Sequence, residues 1–85
     1  MKPVEIYTTS FCGFCHMAKR LLNSKGITYA EIDVSRDAAK RMTMTQRAGG
    51  KRTVPQIFIG DTHVGGCNEL YGLERAGKLD PLLAA

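Results

Sequence analysis

The chain has 85 residues, 44% apolar and 24% charged, with nine glycines, three cysteines and no tryptophan. That length predicts one domain, residues 1–85, and the near-average composition excludes a disordered or collagen-like chain. The net charge of +4 is spread over scattered bases, paired only at Lys19-Arg20, Lys40-Arg41 and Lys51-Arg52; this argues against a nucleic-acid surface and for a solvated basic surface that attracts small anions or acidic partners.

Val4-Glu5-Ile6-Tyr7-Thr8 alternates and is rich in β-branched and aromatic residues, which predicts a first strand. Thr9 to Phe11 is a short turn. From about Phe14 to Lys25 the apolar positions Phe14, Ala18, Leu21 and Leu22 recur at three and four, with Lys19 and Arg20 off the stripe, so an amphipathic helix follows and Gly26 stops it. Ile27 to Val34 reads as a second strand, parallel to the first because a helix joins them. Ser35 is the expected N-cap of a second helix, Arg36 to Arg47, with Ala38, Ala39 and Met42 inward and Gly49-Gly50 ending it. Pro55 to Ile59 is a short apolar strand, and Thr62-His63-Val64 returns as its hairpin partner across Gly60-Asp61. Gly65-Gly66 opens a third helix, Cys67 to about Ala76, with Leu70, Tyr71 and Leu73 as its apolar residues. Gly77 ends it, and Leu79 to Leu83 docks as a tail or short turn. The order β-α-β-α-β-β-α predicts an α/β fold with a mixed four-stranded sheet and helices on both faces, similar to the thioredoxin-like architecture.

A domain this small buries only about 60–65% of its extended surface, so its chemistry should lie near the surface and use few residues. No apolar run approaches the roughly 20 residues that span a bilayer. Charges at Lys2 and Glu5 break what would be the apolar core of a secretory leader, so the expectation is a cytoplasmic protein without a membrane partner. An odd number of cysteines fits that setting better than a disulfide scaffold does.

Two of the three form Cys12-Gly13-Phe14-Cys15, a C-x-x-C between a strand and a helix, which reads as a redox pair. The thiolate is the nucleophile of disulfide exchange. A helix start aims unpaired N–H groups and partial positive charge at Cys12, which is expected to lower its pKa. Cys15 lies deeper along the helix, so Cys12 is the predicted attacking thiol and Cys15 the resolving one. Zinc would need four ligands, and only Cys67, His16 and His63 remain as candidates, with no second pair at matched spacing; no metal is expected.

Two further segments bear on the site. In Thr53-Val54-Pro55 the proline either simply starts a strand, or forms a cis bond that turns the Val54 N–H and C=O toward an extended peptide. Gly65-Gly66-Cys67-Asn68-Glu69 is either a plain hairpin exit or a backbone cradle for a carboxylate at a helix N-terminus.

Over nearly its whole length the chain resembles the glutaredoxins, in particular the short bacterial dithiol members. The resemblance is carried, in order and spacing, by Tyr7-Thr8, Cys12-Gly13-Phe14-Cys15, Ala18-Lys19, Leu21-Leu22, Thr53 to Ile59, Gly65-Gly66-Cys67 and Leu79 to Leu83. It implies a glutathione-dependent thiol–disulfide oxidoreductase with glutathione as co-substrate. The glutathione sulfur would meet Cys12 and its backbone would pair with Val54, between Thr53 and Pro55. Its γ-glutamyl carboxylate would rest on the amides of Cys67 and Asn68 after Gly66. Phe14 would flank it, and Arg52 or Lys51 would attract the glycine carboxylate. The implied partners are glutathionylated or disulfide-containing proteins, met by a monomer, and an NADPH-dependent reductase would recycle oxidised glutathione.

The chain departs from the family pattern at three places. Thr8 to Phe11 lack the lysine that many members carry before the first cysteine, Gly13-Phe14 replaces Pro-Tyr, and Asn68 stands where an acidic residue often meets the ligand's ammonium group. Gly13 keeps an alternative open, a [2Fe-2S] carrier or scaffold ligated by Cys12 and glutathione from two protomers, against which Cys15 argues. A thioredoxin proper is disfavoured by the absence of Trp and of Gly-Pro between the cysteines. Cys67 is either a small buried residue or a thiol near the ligand that is open to oxidation.

Overall fold

The computed structural model describes residues 1–84. The elements are β1 (Val4–Thr8), α1 (Gly13–Ser24), β2 (Ala30–Asp33), α2 (Ala38–Arg47), β3 (Gln56–Ile59), β4 (Thr62–Gly65), α3 (Cys67–Arg75) and α4 (Leu79–Ala84). The sheet order is β2-β1-β3-β4. β1 runs parallel to β2 with Tyr7 opposite Ile32, and antiparallel to β3 with Ile6 opposite Ile57; β3 and β4 form the hairpin.

Alternation along the two central strands builds a layer on each face. Val4 and Ile6 of β1 and Ile57 and Ile59 of β3 pack with Ala18 and Leu22 of α1, Leu70 of α3, and Leu79 and Leu83 of α4. On the opposite face Tyr7 and Phe58 pack with Val34 and with Met44 and Ala48 at the end of α2. The expected mixed four-stranded sheet with helices on both faces is the fold observed.

Four details differ from the sequence reading. The N-cap of α2 is Asp37, whose side chain accepts from the Lys40 N–H at 3.0 Å, because Ser35 Oγ is committed to the Ser10 N–H at 2.8 Å. Met42 is 64% exposed and Met44 is fully buried. Ala38 and Ala39 offer little area to bury, so the stripe of Met44 and Ala48 turns inward and brings Arg47 within 3.0 Å of both Glu5 and the Tyr7 hydroxyl. β2 starts only at Ala30, since the Ile27 N–H closes the end of α1 on the Leu22 carbonyl at 3.0 Å. The C-terminal segment is a helix whose Leu79 and Leu83 are buried. Among the described residues, no helix is long and apolar enough to cross a membrane.

Candidate active site

The site starts where β1 runs into α1. Ser10 ties the intervening turn to the far end of β2: its N–H donates to Ser35 Oγ at 2.8 Å and its hydroxyl to Asp33 Oδ2 at 3.3 Å. Cys12 follows as the N-cap of α1, with extended backbone (φ −143°, ψ 108°). Its sulfur takes the place of the usual Ser or Asp oxygen and accepts the Cys15 N–H at 3.2 Å. The first turn of α1 carries no acidic residue, so no carboxylate competes with the sulfur for the helix end. The Cys12 thiol is half-buried and lies 3.8 Å from the Val54 carbonyl.

Cys15 is fully buried behind it. Burial, and then its hydrogen bond with Cys12, pushes the Cys15 thiol up to about 12. All three cysteines are free thiols. One sulfur is reachable and the second waits beneath it, the arrangement expected of an attacking and a resolving thiol.

Beside Cys12 lies a cleft of about 270 Å³ lined by Phe14, Thr53, Val54, Pro55, Gly66, Cys67, Asn68 and Glu69. Three separated segments, the start of α1, the loop into β3 and the start of α3, thus meet in one place. The Val54-Pro55 bond is cis. Of the residues predicted to contact a ligand, Cys12, Arg52 and Lys51 lie outside the lining: Cys12 borders it through the Val54 carbonyl, while Arg52 and Lys51 are exposed and the Arg52 carbonyl accepts from Arg41 Nη2 at 2.9 Å.

Glu69 is the lining residue that the sequence reading missed. Its carboxylate accepts the Gly66 N–H at 2.7 Å, half of a capping box whose other half a glycine cannot supply. The G-x-x-E spacing was the available signal. Cys67 is 5% exposed, and burial holds its thiol above the ordinary range. Phe11 is fully exposed, Phe14 is 56% exposed and Met17 44%, so three large apolar side chains close to Cys12 in sequence are presented to solvent. Among the described residues, no three His, Cys, Asp or Glu side chains are grouped as a metal ion requires.

Residues 4–64 match the glutaredoxin family. The chain is 53% identical over 83 residues to glutaredoxin 3 of Escherichia coli strain K12, covering 98% of this chain and 99% of that protein. It matches the solution structure of glutaredoxin from Brucella melitensis at 52% identity with a TM-score of 0.86, over 98% of this chain and 89% of that one. A crystal structure of a buckwheat glutaredoxin–glutathione complex superposes with a TM-score of 0.87 at 34% identity, over 98% of this chain and 77% of the other. The chain belongs to the glutaredoxin family and is a glutathione-dependent thiol–disulfide oxidoreductase.

Proposed function

We propose that the cleft beside Cys12 holds glutathione and that the enzyme exchanges its sulfur with glutathionylated proteins and protein disulfides. The observation that carries this is the Cys12 sulfur, seated on a helix N-terminus and 3.8 Å from the backbone carbonyl of the cleft wall. The buckwheat complex supports the choice of ligand.

In this reading the ligand's cysteine lies against Cys12 and its backbone pairs with Val54, flanked by Thr53 and Pro55. Its γ-glutamyl carboxylate accepts from the N–H groups of Cys67 and Asn68 beyond Gly66, where an anion is favoured. Phe14 covers one side, and Arg52 and Lys51 draw the glycine carboxylate from the rim. Asn68 is neutral, so the Glu69 carboxylate in the same lining supplies the negative charge for the ligand's ammonium group.

The reaction follows from the two thiols. Cys12 thiolate attacks the glutathione sulfur of a mixed disulfide; the old S–S bond breaks, the substrate leaves as a thiolate, and Cys12 carries the glutathionyl group. A second glutathione thiolate attacks that group, releasing oxidised glutathione and restoring Cys12. With a protein disulfide, Cys12 opens the bond and Cys15 attacks Cys12, expelling the reduced protein and leaving a Cys12–Cys15 disulfide that glutathione reduces. Glutaredoxin potentials of about −200 to −230 mV lie near the glutathione pool, so the steps run reversibly. An NADPH-dependent reductase regenerates glutathione. The cleft is completed by one chain, which supports action as a monomer, and the reaction belongs where glutathione is kept reduced, in the cytoplasm. Ligation of an iron–sulfur cluster by Cys12 and glutathione would leave Cys15 without a role, and no observation favours that reading.

Steady-state reduction of a glutathione–cysteine mixed disulfide separates the roles. Cys12→Ser should abolish turnover, whereas Cys15→Ser should keep it and lose only the reduction of protein disulfides. Equal losses in the two variants with the small mixed disulfide would overturn the assignment.

A further inference from the structure

The Thr53–Pro55 wall is held from behind by side chains that do not line the cleft. Gln56, the residue after Pro55, is 1% exposed. Its Nε2 donates to the Thr53 carbonyl at 3.0 Å and lies 3.2 Å from Thr53 Oγ1. A carbonyl can only accept, so the amide nitrogen must face Thr53 and Oε1 must face away. There Oε1 meets His63 Nε2 at 2.7 Å. An amide oxygen likewise only accepts, so Nε2 carries the proton and the tautomer of His63 is set by Thr53 two hydrogen bonds away.

The far end of this relay is itself fixed. His63 is half-buried on β4 and stacks on Phe58, with ring centroids 4.9 Å apart and planes at 24°. The Arg47 guanidinium lies 4.1 Å from the Phe58 centroid and is held by Glu5 and the Tyr7 hydroxyl. Burial first, and then Lys51 and Arg47, hold the imidazole below its usual range against the opposing pull of Glu69. The neutral ring with its Nε2–H is therefore the form present at neutral pH.

We propose that His63 is a positioning residue for glutathione: its Nε2–H orients the Gln56 amide, and that amide fixes Thr53 and the wall on which the ligand's backbone lies. The proposal rests on the assignment of that wall to glutathione. Without the His63 donor, Gln56 Oε1 is left buried and unpaired. Its amide then turns to find another partner and lets go of the Thr53 carbonyl. The binding surface at Thr53 loosens while Cys12 keeps its place at the start of α1, where its sulfur accepts the Cys15 N–H. The loss should appear in substrate binding and not in the chemical step.

The variants His63→Gln and His63→Asn test this, because a glutamine amide nitrogen reaches the position of Nε2 and an asparagine's stops short. KM for the glutathione–cysteine mixed disulfide should rise about three- to tenfold in His63→Asn, the worth of one hydrogen bond, with kcat unchanged. His63→Gln should stay near the wild-type KM. The pH profile of Cys12 alkylation should be the same in all three proteins. Equal KM values in both variants, whether raised or not, would overturn the relay, as would a fall in kcat or a shift of the alkylation profile in His63→Asn. Cystine serves as the control for the underlying assignment. If wild type uses cystine as readily as the mixed disulfide, the glutathione site itself is wrong. If wild type discriminates and the His63 variants keep its KM, only the relay is.

Discussion

At the scale of single residues, the two thiols of the C-x-x-C pair differ because one is half-buried and the other sealed. Cys15 has no exposed surface, and its thiol is pushed up to about 12 by burial and by its bond with Cys12. It therefore rests as a thiol, and in the proposed reaction it attacks after Cys12 has been drawn into a mixed disulfide and no longer adds to the burial that opposes its ionisation. Iodoacetamide at pH 8 should modify Cys12 and spare both Cys15 and Cys67 in the folded protein. The raised value also makes a stability statement. An unfolded Cys15 ionises near its ordinary value of 9.0 and the folded one near 12, so between these the unfolded chain holds fewer protons and stability falls as pH rises. Urea unfolding of reduced protein between pH 9 and 11 should give a steeper loss for wild type than for Cys15→Ser. Groups away from the Cys12–Cys15 pair titrate equally in both proteins, so identical slopes would refute the ionisation difference.

At the scale of elements, the turn from β4 into α3 shapes the end of the cleft lined by Gly66 and Glu69. Gly65 has φ +116°, and a Cβ there would stand 3.0 Å from Glu69 Cγ and Oε1. Gly65→Ala should therefore strain the backbone and displace the carboxylate that caps Gly66, costing about 1–3 kcal/mol in chemical denaturation and raising KM for the mixed disulfide. Gly13 has no positive φ, and a Cβ there meets nothing within 4 Å, so Gly13→Ala should leave stability unchanged or raise it by about 0.5–1 kcal/mol. Equal destabilisation by the two substitutions would mean that the strain at Gly65 is not real. These same elements show what was legible in advance. β1 was readable from its alternation, β3 as a short apolar run closed by Gly60, and α1 and α3 from apolar positions closed by Gly26 and Gly77. The inward face of α2 was not, since Met42 and Met44 lie on competing stripes and only Tyr7 and Phe58, distant in sequence, decide between them. Cys12 and Cys15 were readable from their spacing. The His63–Gln56–Thr53 relay was not, because it depends on which strand lies beside which.

At the scale of the whole molecule, the sheet divides the core unequally. One face joins β1 and β3 to α1, α3 and α4 through Ile6, Leu22, Ile57, Ile59, Leu70 and Leu79, all with no exposed surface. The other face secures α2 to the sheet through Met44 and Ala48 alone, with Arg47 clipped to Glu5 and Tyr7. An element with so little buried apolar area opens at a lower free energy than the whole chain unfolds. Native-state hydrogen exchange should thus find the α2 amides opening locally, while those of Ile6 and Ile57 exchange only on global unfolding. Two truncations then distinguish the events, each costing about 2–5 kcal/mol. Met44 is exposed in both openings, so Met44→Ala should lower the protection of α2 and of the central strands alike. Leu70 stays packed when α2 detaches, so Leu70→Ala should lower the protection of Ile6 and Ile57 and leave that of α2 unchanged until the two free energies meet. Loss of α2 protection in Leu70→Ala in proportion to that of the strands would mean that both faces unfold as one unit. The wall at Thr53, which α2 reaches through Arg41 and the Arg52 carbonyl, would then have no independent motion.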